Sequence, residues 1–228
     1  MADVYFISGI GADKRLFKYM RLPEGFQMKF VEWIPPHADE TLPGYAMRLT
    51  QQMDTTRPFA LVGMSLGGIM SVEIAKHFPV IATIIIGSVP VAAQMPRYYS
   101  VARSLNLATL LPASFFKTTA VIKRLFTKEK REDKELIRQV IRDGDPIFIK
   151  WALNAVLHWN NEEIPQPLWH IHGTRDEVFP WWLTKPSHTI EKGGHMLVMT
   201  HAKEVNAILR DILQNIPHSP FNTPIATR

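Results

Sequence analysis

Several short stretches of this sequence are apolar at consecutive positions, and this feature limits the possible folds more than any other. Two of them are Ala60-Leu61-Val62 and Ile84-Ile85-Ile86. A strand that is covered on one face only alternates apolar and polar residues, so unbroken apolar runs are typical of strands buried on both faces of a parallel sheet. The sequence therefore predicts an α/β fold with a mostly parallel, doubly wound sheet.

Strand-like runs alternate with helical patterns along the chain. The predicted strands span residues 4–8, 26–33, 59–64, 81–87, 168–172 and 189–190. Apolar residues at helical spacing predict helices between and after them, at Leu42, Tyr45, Ala46, Leu49 and Met53, and most clearly at Val205, Ile208, Leu209, Ile212, Leu213 and Ile216. This alternation is typical of βαβ units, in which helices cover the faces of the sheet.

Residues 88–164 separate two predicted strands, although a crossover between parallel strands needs only about a dozen residues. We interpret this segment as an inserted helical cap. In its last part Asp145 suits the N-cap and Pro146 the first helical position, and one apolar face follows at Phe148, Trp151, Ala152, Ala155, Val156 and Trp159. We expect a core of residues 1–87 and 165–216, a cap of residues 88–164 and a flexible tail at residues 217–228.

The formal net charge of +5 comes mostly from residues 123–142, which contain eight Lys and Arg against four Asp and Glu. Apolar residues at helical spacing within this stretch predict an amphipathic helix. We interpret the basic residues as its solvated face, and a basic rim that steers anionic or membrane-associated substrates is the alternative. Because no nucleic-acid-binding motif accompanies the charge, we expect no nucleic-acid partner.

The absence of cysteine excludes thiolate nucleophiles, iron–sulfur clusters and disulfides, so covalent catalysis must use another side chain. No run approaches the roughly 18 apolar residues of a spanning helix, and we expect no stable membrane insertion. The first residues lack the basic and apolar segments of a signal peptide, from which we expect a cytoplasmic protein.

A serine lies at a predicted sharp turn, in Gly63-Met64-Ser65-Leu66-Gly67-Gly68, between a strand and a helix. This is the G-x-S-x-G pattern in its strand-turn-helix context. Such a turn strains the serine backbone, and a Cβ at either flanking position would clash where strand and helix converge, which Gly63 and Gly67 avoid. The pattern predicts Ser65 as a nucleophile. A serine hydroxyl also needs a base and a group that orients the base.

The sequence offers one histidine and one carboxylate in suitable loops. Among nine histidines, His195 follows two glycines in the loop between the last predicted strand and the final helix. Asp176 lies in the loop after the strand at residues 168–172, with Glu177 as a weaker rival. Loops after strand ends carry catalytic groups in α/β proteins, so we expect His195 as the base and Asp176 as the acid.

The chain order Ser65, Asp176, His195 is the nucleophile, acid and base order of α/β-hydrolases. Over almost its whole length the sequence resembles that family, through the serine turn, the Gly-Thr-Arg-Asp loop at residues 173–176, and the Gly-His pair before a long helix. The resemblance implies the α/β-hydrolase fold with an active site at the carboxyl ends of the strands and a lid after the sixth strand. The first strand here would correspond to the family's third, which implies a minimal N-terminus.

The resemblance also implies an oxyanion hole made of two backbone N–H groups. Leu66, directly after the nucleophile, would supply one of them. Ile10, in the loop Ser8-Gly9-Ile10-Gly11, would supply the other. Many members of the family have His-Gly where this chain has Ser8-Gly9.

Two other kinds of enzyme remain as alternatives. Gly9-x-Gly11 after a strand, with Glu32 further on, is similar to a dinucleotide-binding fingerprint, but Lys14 stands where the third glycine belongs. His170 and His172 share one face of a strand and are candidate metal ligands together with Asp176.

We expect a serine hydrolase that cleaves a small carboxylic ester, thioester or lactone through an acyl-enzyme, and such a reaction requires no cofactor. Its partner would be a small-molecule acyl substrate. C–C hydrolases, lyases and ligand sensors that retain the same three residues are alternatives. Candidate pocket residues in the insertion are Met95, Tyr99, Phe115, Phe116, Trp151 and Trp159, although aromatic residues at helical spacing also suit simple packing.

Overall fold

A computed structural model describes residues 1–104 and 131–216 of the chain. Its sheet has six strands: β1 (Ala2–Ile7), β2 (Phe26–Val31), β3 (Phe59–Met64), β4 (Ala82–Ile86), β5 (Leu168–Gly173) and β6 (His188–Ile190). Their order is β2-β1-β3-β4-β5-β6, and every neighbouring pair is parallel. The predicted parallel sheet is therefore confirmed.

The register of the sheet brings the carboxyl ends of its central strands to one edge. Ile7 at the end of β1 pairs with Gly63 of β3, and Met64 of β3 pairs with Ile86 of β4. Ile86 in turn pairs with Ile171 of β5. The loops that follow β1, β3, β4 and β5 consequently meet at this edge, where ligands bind in open α/β sheets.

Helices cover both faces of the sheet. Their bounds are α1 (Leu42–Leu49), α2 (Leu66–Ala75), α3 (Arg97–Ser104), α4 (Arg131–Asp143), α5 (Pro146–His158), α6 (Leu197–Thr200) and α7 (Ala202–Asn215). Because successive side chains of a strand point to opposite faces, each apolar strand serves two cores. Val4, Phe6 and Val62 pack in the same core as α6 and α7. Tyr5 and Leu61 pack in the core that contains α1, α2 and α5.

Helix α5 begins where the sequence predicts. The Asp145 side chain accepts a hydrogen bond from Ile147 N at 2.8 Å, and Pro146 occupies the first turn, where its missing N–H leaves no helical bond unmade. Phe148 and Ala152 are buried in the core with α1 and α2. The inserted segment therefore packs directly on the sheet's own helices at this end.

The described part of the insertion lies between β4 and β5 and contains α3, α4 and α5. The division into core and cap stays a prediction. The basic stretch is described only from Arg131 onward, where Ile137 and Val140 are buried. The proposed tail at residues 217–228 lies outside the described residues. None of the helices described is both long and apolar enough to cross a membrane.

Candidate active site

Ser65 occupies a strained turn between β3 and α2. Its φ of 54° and ψ of −119° place it where residues with a Cβ rarely lie. Its amide donates to Ile86 O at 3.0 Å, and its carbonyl accepts a hydrogen bond from Ser88 Oγ at 2.7 Å. A non-glycine residue in such a conformation costs about 1–3 kcal/mol, which the surrounding bonds have to offset. This turn presents the Ser65 side chain at the carboxyl edge of the sheet.

Two glycines permit the turn, as predicted. A Cβ added at Gly63 would overlap Gly67 O, and a Cβ added at Gly67 would overlap Ile7 O. Both obstacles are backbone atoms, which a side-chain rotation does not move. The strand and helix therefore converge at a separation that only glycine allows at these positions.

Ser65, His195 and Asp176 form one continuous hydrogen-bonded chain, and all three are buried. His195 Nε2 lies 3.0 Å from Ser65 Oγ, and His195 Nδ1 lies 2.9 Å from Asp176 Oδ2. The loops that carry Asp176 and His195 approach closely at Gly173, where an added Cβ would overlap Gly193 O. The structure thus brings together the three side chains that the sequence singles out.

The surroundings of Asp176 keep its carboxyl group ionised. Burial alone would raise the pKa of Asp176, but the His195 ring, the His172 ring and the Phe179 amide together lower it below its ordinary value. The amides of Val178 and Phe179 donate to Oδ1 at 2.8 and 2.9 Å, which leaves Oδ2 for His195. Because a carboxylate only accepts, it holds the proton of a neutral His195 on Nδ1 and leaves the Nε2 lone pair for the Ser65 hydroxyl.

The loop after β1 lies against Ser65. Gly9 O accepts hydrogen bonds from Ala12 N at 3.1 Å and from Trp33 Nε1 at 3.2 Å, and Gly11 has a φ of 65°. A Cβ built on Gly9 would lie 3.5 Å from Ser65 Cβ. The predicted donor Ile10 is therefore the second residue of a tight turn beside the serine. Leu66, the other predicted donor, begins α2, so its amide has no acceptor within the helix.

Comparison with known families agrees with this architecture. Residues 6–208 of this chain match the family model that is described as the alpha/beta hydrolase family. The chain belongs to the alpha/beta hydrolase family. It is therefore a hydrolase-fold enzyme.

Solved structures of this fold are similar to the chain. A thermophilic esterase from Thermogutta terrifontis is 18% identical with a TM-score of 0.67, and the match covers 95% of this chain and 90% of that one. MenH from S. aureus is 16% identical with a TM-score of 0.71 and coverage of 93% of each chain. A bromoperoxidase from Bacillus anthracis is 17% identical with a TM-score of 0.65, covering 94% and 92%. At these identities the likeness concerns the fold. No curated protein gave a significant match.

In this α/β-hydrolase the predicted pocket residues divide into two groups. The Tyr99 ring stacks on Phe179 at 6.1 Å, and the Phe179 ring lies 6.0 Å from His195. Met95 packs, partly buried, in the same core as Phe179. The Phe179 ring therefore lies between Tyr99 and His195.

The two tryptophans make core contacts instead. Trp151 Nε1 donates to Glu40 O at 3.1 Å, and its ring lies 4.4 Å from that of Tyr45. Trp159 Nε1 donates to the buried Glu73 at 2.7 Å. These contacts join α5 and the residue after it to α1, to α2 and to the segment just before α1. Phe115 and Phe116 lie outside the described residues.

Two buried histidines lie close to Asp176, and the sequence does not predict their contacts. His170 and His172 share one face of β5, as their spacing predicts, but they bond to each other at 2.9 Å. Within residues 1–104 and 131–216 no group of three or more His, Asp and Glu side chains is arranged to hold a metal ion. The Gly9-x-Gly11 turn of the dinucleotide alternative lies beside Ser65, and Glu32 forms an exposed ion pair with Lys14 at 3.6 Å.

Proposed function

We propose that this protein is a serine hydrolase that cleaves a small carboxylic ester, thioester or lactone, with Ser65 as nucleophile, His195 as general base and Asp176 as the group that orients His195. The observation that carries the proposal is the unbroken chain from Ser65 Oγ to His195 at 3.0 Å and from His195 to Asp176 at 2.9 Å. A base within 3.2 Å of the hydroxyl meets the geometric requirement for proton removal.

The first half of the reaction transfers the acyl group to the enzyme. His195 Nε2 takes the Ser65 proton while Oγ attacks the substrate carbonyl carbon. The amides of Ile10 and Leu66 stabilise the negative charge on the carbonyl oxygen. As the tetrahedral intermediate collapses, His195 returns the proton to the leaving alcohol or thiol, and an ester between Ser65 and the acyl group remains.

The second half releases the acid. Water gives a proton to His195 Nε2 and attacks the acyl carbonyl, and the collapse returns this proton to Ser65 Oγ. Throughout both halves, Asp176 stabilises the positive charge of the doubly protonated ring and keeps Nε2 directed at the serine.

A cleft opens beside the loop that follows β1. A cleft of about 270 Å³ borders the turn at Gly11 and is lined partly by the side chains of Trp33, Ile34 and Phe148. This volume is close to the lower end of small-molecule sites. Esterases also occur among proteins of similar fold, including the one from Thermogutta terrifontis.

The test combines labelling and turnover. A fluorophosphonate probe should label wild type once per chain at Ser65, mapped by peptide mass, and p-nitrophenyl acetate or butyrate should be hydrolysed. Ser65→Ala should abolish labelling and lower kcat/KM by about 10⁴-fold or more, since a missing nucleophile removes the covalent route. The exposed Ser100 offers a matched control, and Ser100→Ala should behave as wild type.

Other results would exclude this mechanism or favour a different function. Turnover that survives Ser65→Ala within about tenfold would exclude the mechanism. Labelling without hydrolysis of any acyl ester would favour a ligand sensor, a lyase or a C–C hydrolase that keeps the same three residues. Activity that requires a nicotinamide or is lost to a chelator would favour the dinucleotide or metal alternatives.

A further inference from the structure

A pair of buried histidines lies directly behind the acid of the proposed triad. His172 is completely buried near the end of β5, and its Nε2 lies 2.7 Å from Phe179 O. Since a carbonyl oxygen only accepts, the Nε2 atom of His172 carries the proton. Its Nδ1 then offers a lone pair, which accepts a hydrogen bond from His170 Nε2 at 2.9 Å. The two contacts determine one tautomer for each ring.

The carbonyl that His172 holds belongs to the loop that shapes the acid. The amide of the same residue, Phe179, donates to Asp176 Oδ1 at 2.9 Å, and Val178 N donates to the same oxygen at 2.8 Å. His172 Nε2 also lies 3.6 Å from Asp176 Oδ2. One imidazole thus fixes the far end of the loop that directs Oδ2 toward His195.

We propose that His172 is a positioning residue for Asp176, acting through the Phe179 carbonyl, and that His170 fixes the tautomer in which His172 does so. The proposal rests on the proposed function, because it concerns the same acid and base. In this arrangement three hydrogen bonds, from His170 to His172, from His172 to Phe179 O and from Phe179 N to Asp176 Oδ1, position the carboxylate so that its other oxygen, Oδ2, faces His195.

Burial supports this interpretation. It lowers the pKa of His172 below the ordinary value and that of His170 to about 3, so both rings are neutral at neutral pH. A neutral imidazole with one proton and one lone pair is the form that the two contacts require. A hydrophobic side chain of similar volume would fill the space but would leave the buried Phe179 carbonyl without its donor.

The test compares three variants with wild type in p-nitrophenyl ester hydrolysis. His172→Phe keeps the ring volume and removes the donor, whereas His172→Gln places an amide N–H near the position of Nε2. Thr83→Val is the matched control, because Thr83 is equally buried in the neighbouring strand β4. If His172→Phe does not fold, His172→Asn replaces it, since its shorter amide does not reach Phe179 O.

We expect His172→Phe to lower kcat by about ten- to a hundredfold with KM changed less than about twofold, as for other groups that orient a catalytic ligand. His172→Gln should recover most of kcat, and Thr83→Val should match wild type. A kcat for His172→Phe within about twofold of wild type, or equal losses in both His172 variants, would overturn the proposal.

A readout that needs no substrate separates this proposal from the proposed function. The proton shared by His195 Nδ1 and Asp176 gives a low-field resonance in the NMR spectrum of the folded protein, which is observable even if no ester is hydrolysed. This resonance should shift or broaden in His172→Phe and stay in place in His172→Gln and Thr83→Val. An unchanged resonance in His172→Phe would overturn the positioning role, whatever the outcome of the ester assay.

Discussion

Acid should destabilise this protein well above the pH at which its carboxylates protonate, because two imidazoles are buried in neutral form. In the unfolded chain His170 takes up a proton near its ordinary pKa of 6.5, whereas burial lowers its pKa in the folded protein to about 3. Between these values the unfolded state binds more protons than the folded state. The free energy of unfolding therefore falls as the pH falls through this window.

The magnitude follows from the two pKa values. Below about pH 6.5 each pH unit costs about 1.4 kcal/mol for one such group, so His170 alone accounts for a loss of about 2 kcal/mol between about pH 7.5 and pH 5. His172, whose pKa is also lowered by burial, adds a loss in the same direction. Asp176 has a lowered pKa and so loses its contribution only near and below the ordinary value of 3.8. Asp176 therefore does not contribute to the loss of stability above about pH 5, which comes from the two histidines.

Urea unfolding followed by tryptophan fluorescence at a series of pH values measures this effect. His170→Gln removes the titrating ring, and we expect its loss of stability between about pH 7.5 and pH 5 to be smaller than that of wild type by about 2 kcal/mol. His77 is exposed and offers a matched control, in which His77→Gln should keep the full loss. If wild type and His170→Gln lost the same free energy over this range, the assignment of a buried neutral imidazole at His170 would be refuted.

Two further predictions concern the oxyanion loop and the core. Ile10→Pro removes one amide donor at the second position of a turn that accepts proline, so the fold should persist while kcat for p-nitrophenyl esters falls by about 10²- to 10³-fold. Ile10→Val keeps the donor, and equal kcat values in the two variants would show that the Ile10 amide does not contact the oxyanion. Leu209 is fully buried in α7, and Leu209→Asp should lower the free energy of unfolding by several kcal/mol in urea titrations. Ala207→Asp, at an exposed position of the same helix, should cost far less, and a similar cost at both positions would contradict the assigned helix face.

The strands were predictable because burial on both faces produces runs of consecutive apolar residues. The ends of the strands were not predictable. The run at residues 4–8 includes Ser8, yet β1 ends at Ile7, because Ser8 Oγ bonds to Ala12 O at 2.7 Å and begins the next turn. The helical pattern that reaches Met53 covers α1 and a following 3₁₀ turn at Thr50–Gln52, since periodicity does not distinguish the two. Hydrogen bonds of individual side chains set such boundaries, and spacing carries little information about them.

The helix caps show the opposite case, in which a local rule is sufficient. Asp145 and Pro146 begin α5 as predicted, because both act on the backbone of the next one or two residues. The aromatic face that follows is also present, but its partners come from distant parts of the chain. Trp159 bonds to Glu73 in α2, and Trp151 bonds to the backbone of Glu40. Sequence spacing predicts that such residues share a face and leaves open what the face covers.

The difference between local rules and long-range contacts also explains which residues of the proposed site could be predicted from the sequence. Ser65, Asp176 and His195 each follow a strand, and in a parallel sheet the register alone brings the loops after neighbouring strands together, however far apart they are in sequence. His170 and His172 lie within a strand, so their spacing predicts a shared face and equally suits a metal site. The contacts of His172 with His170 and with Phe179 O favour support of Asp176 over metal binding. The chemistry that we propose for this protein therefore depends on the loops that follow β3, β5 and β6.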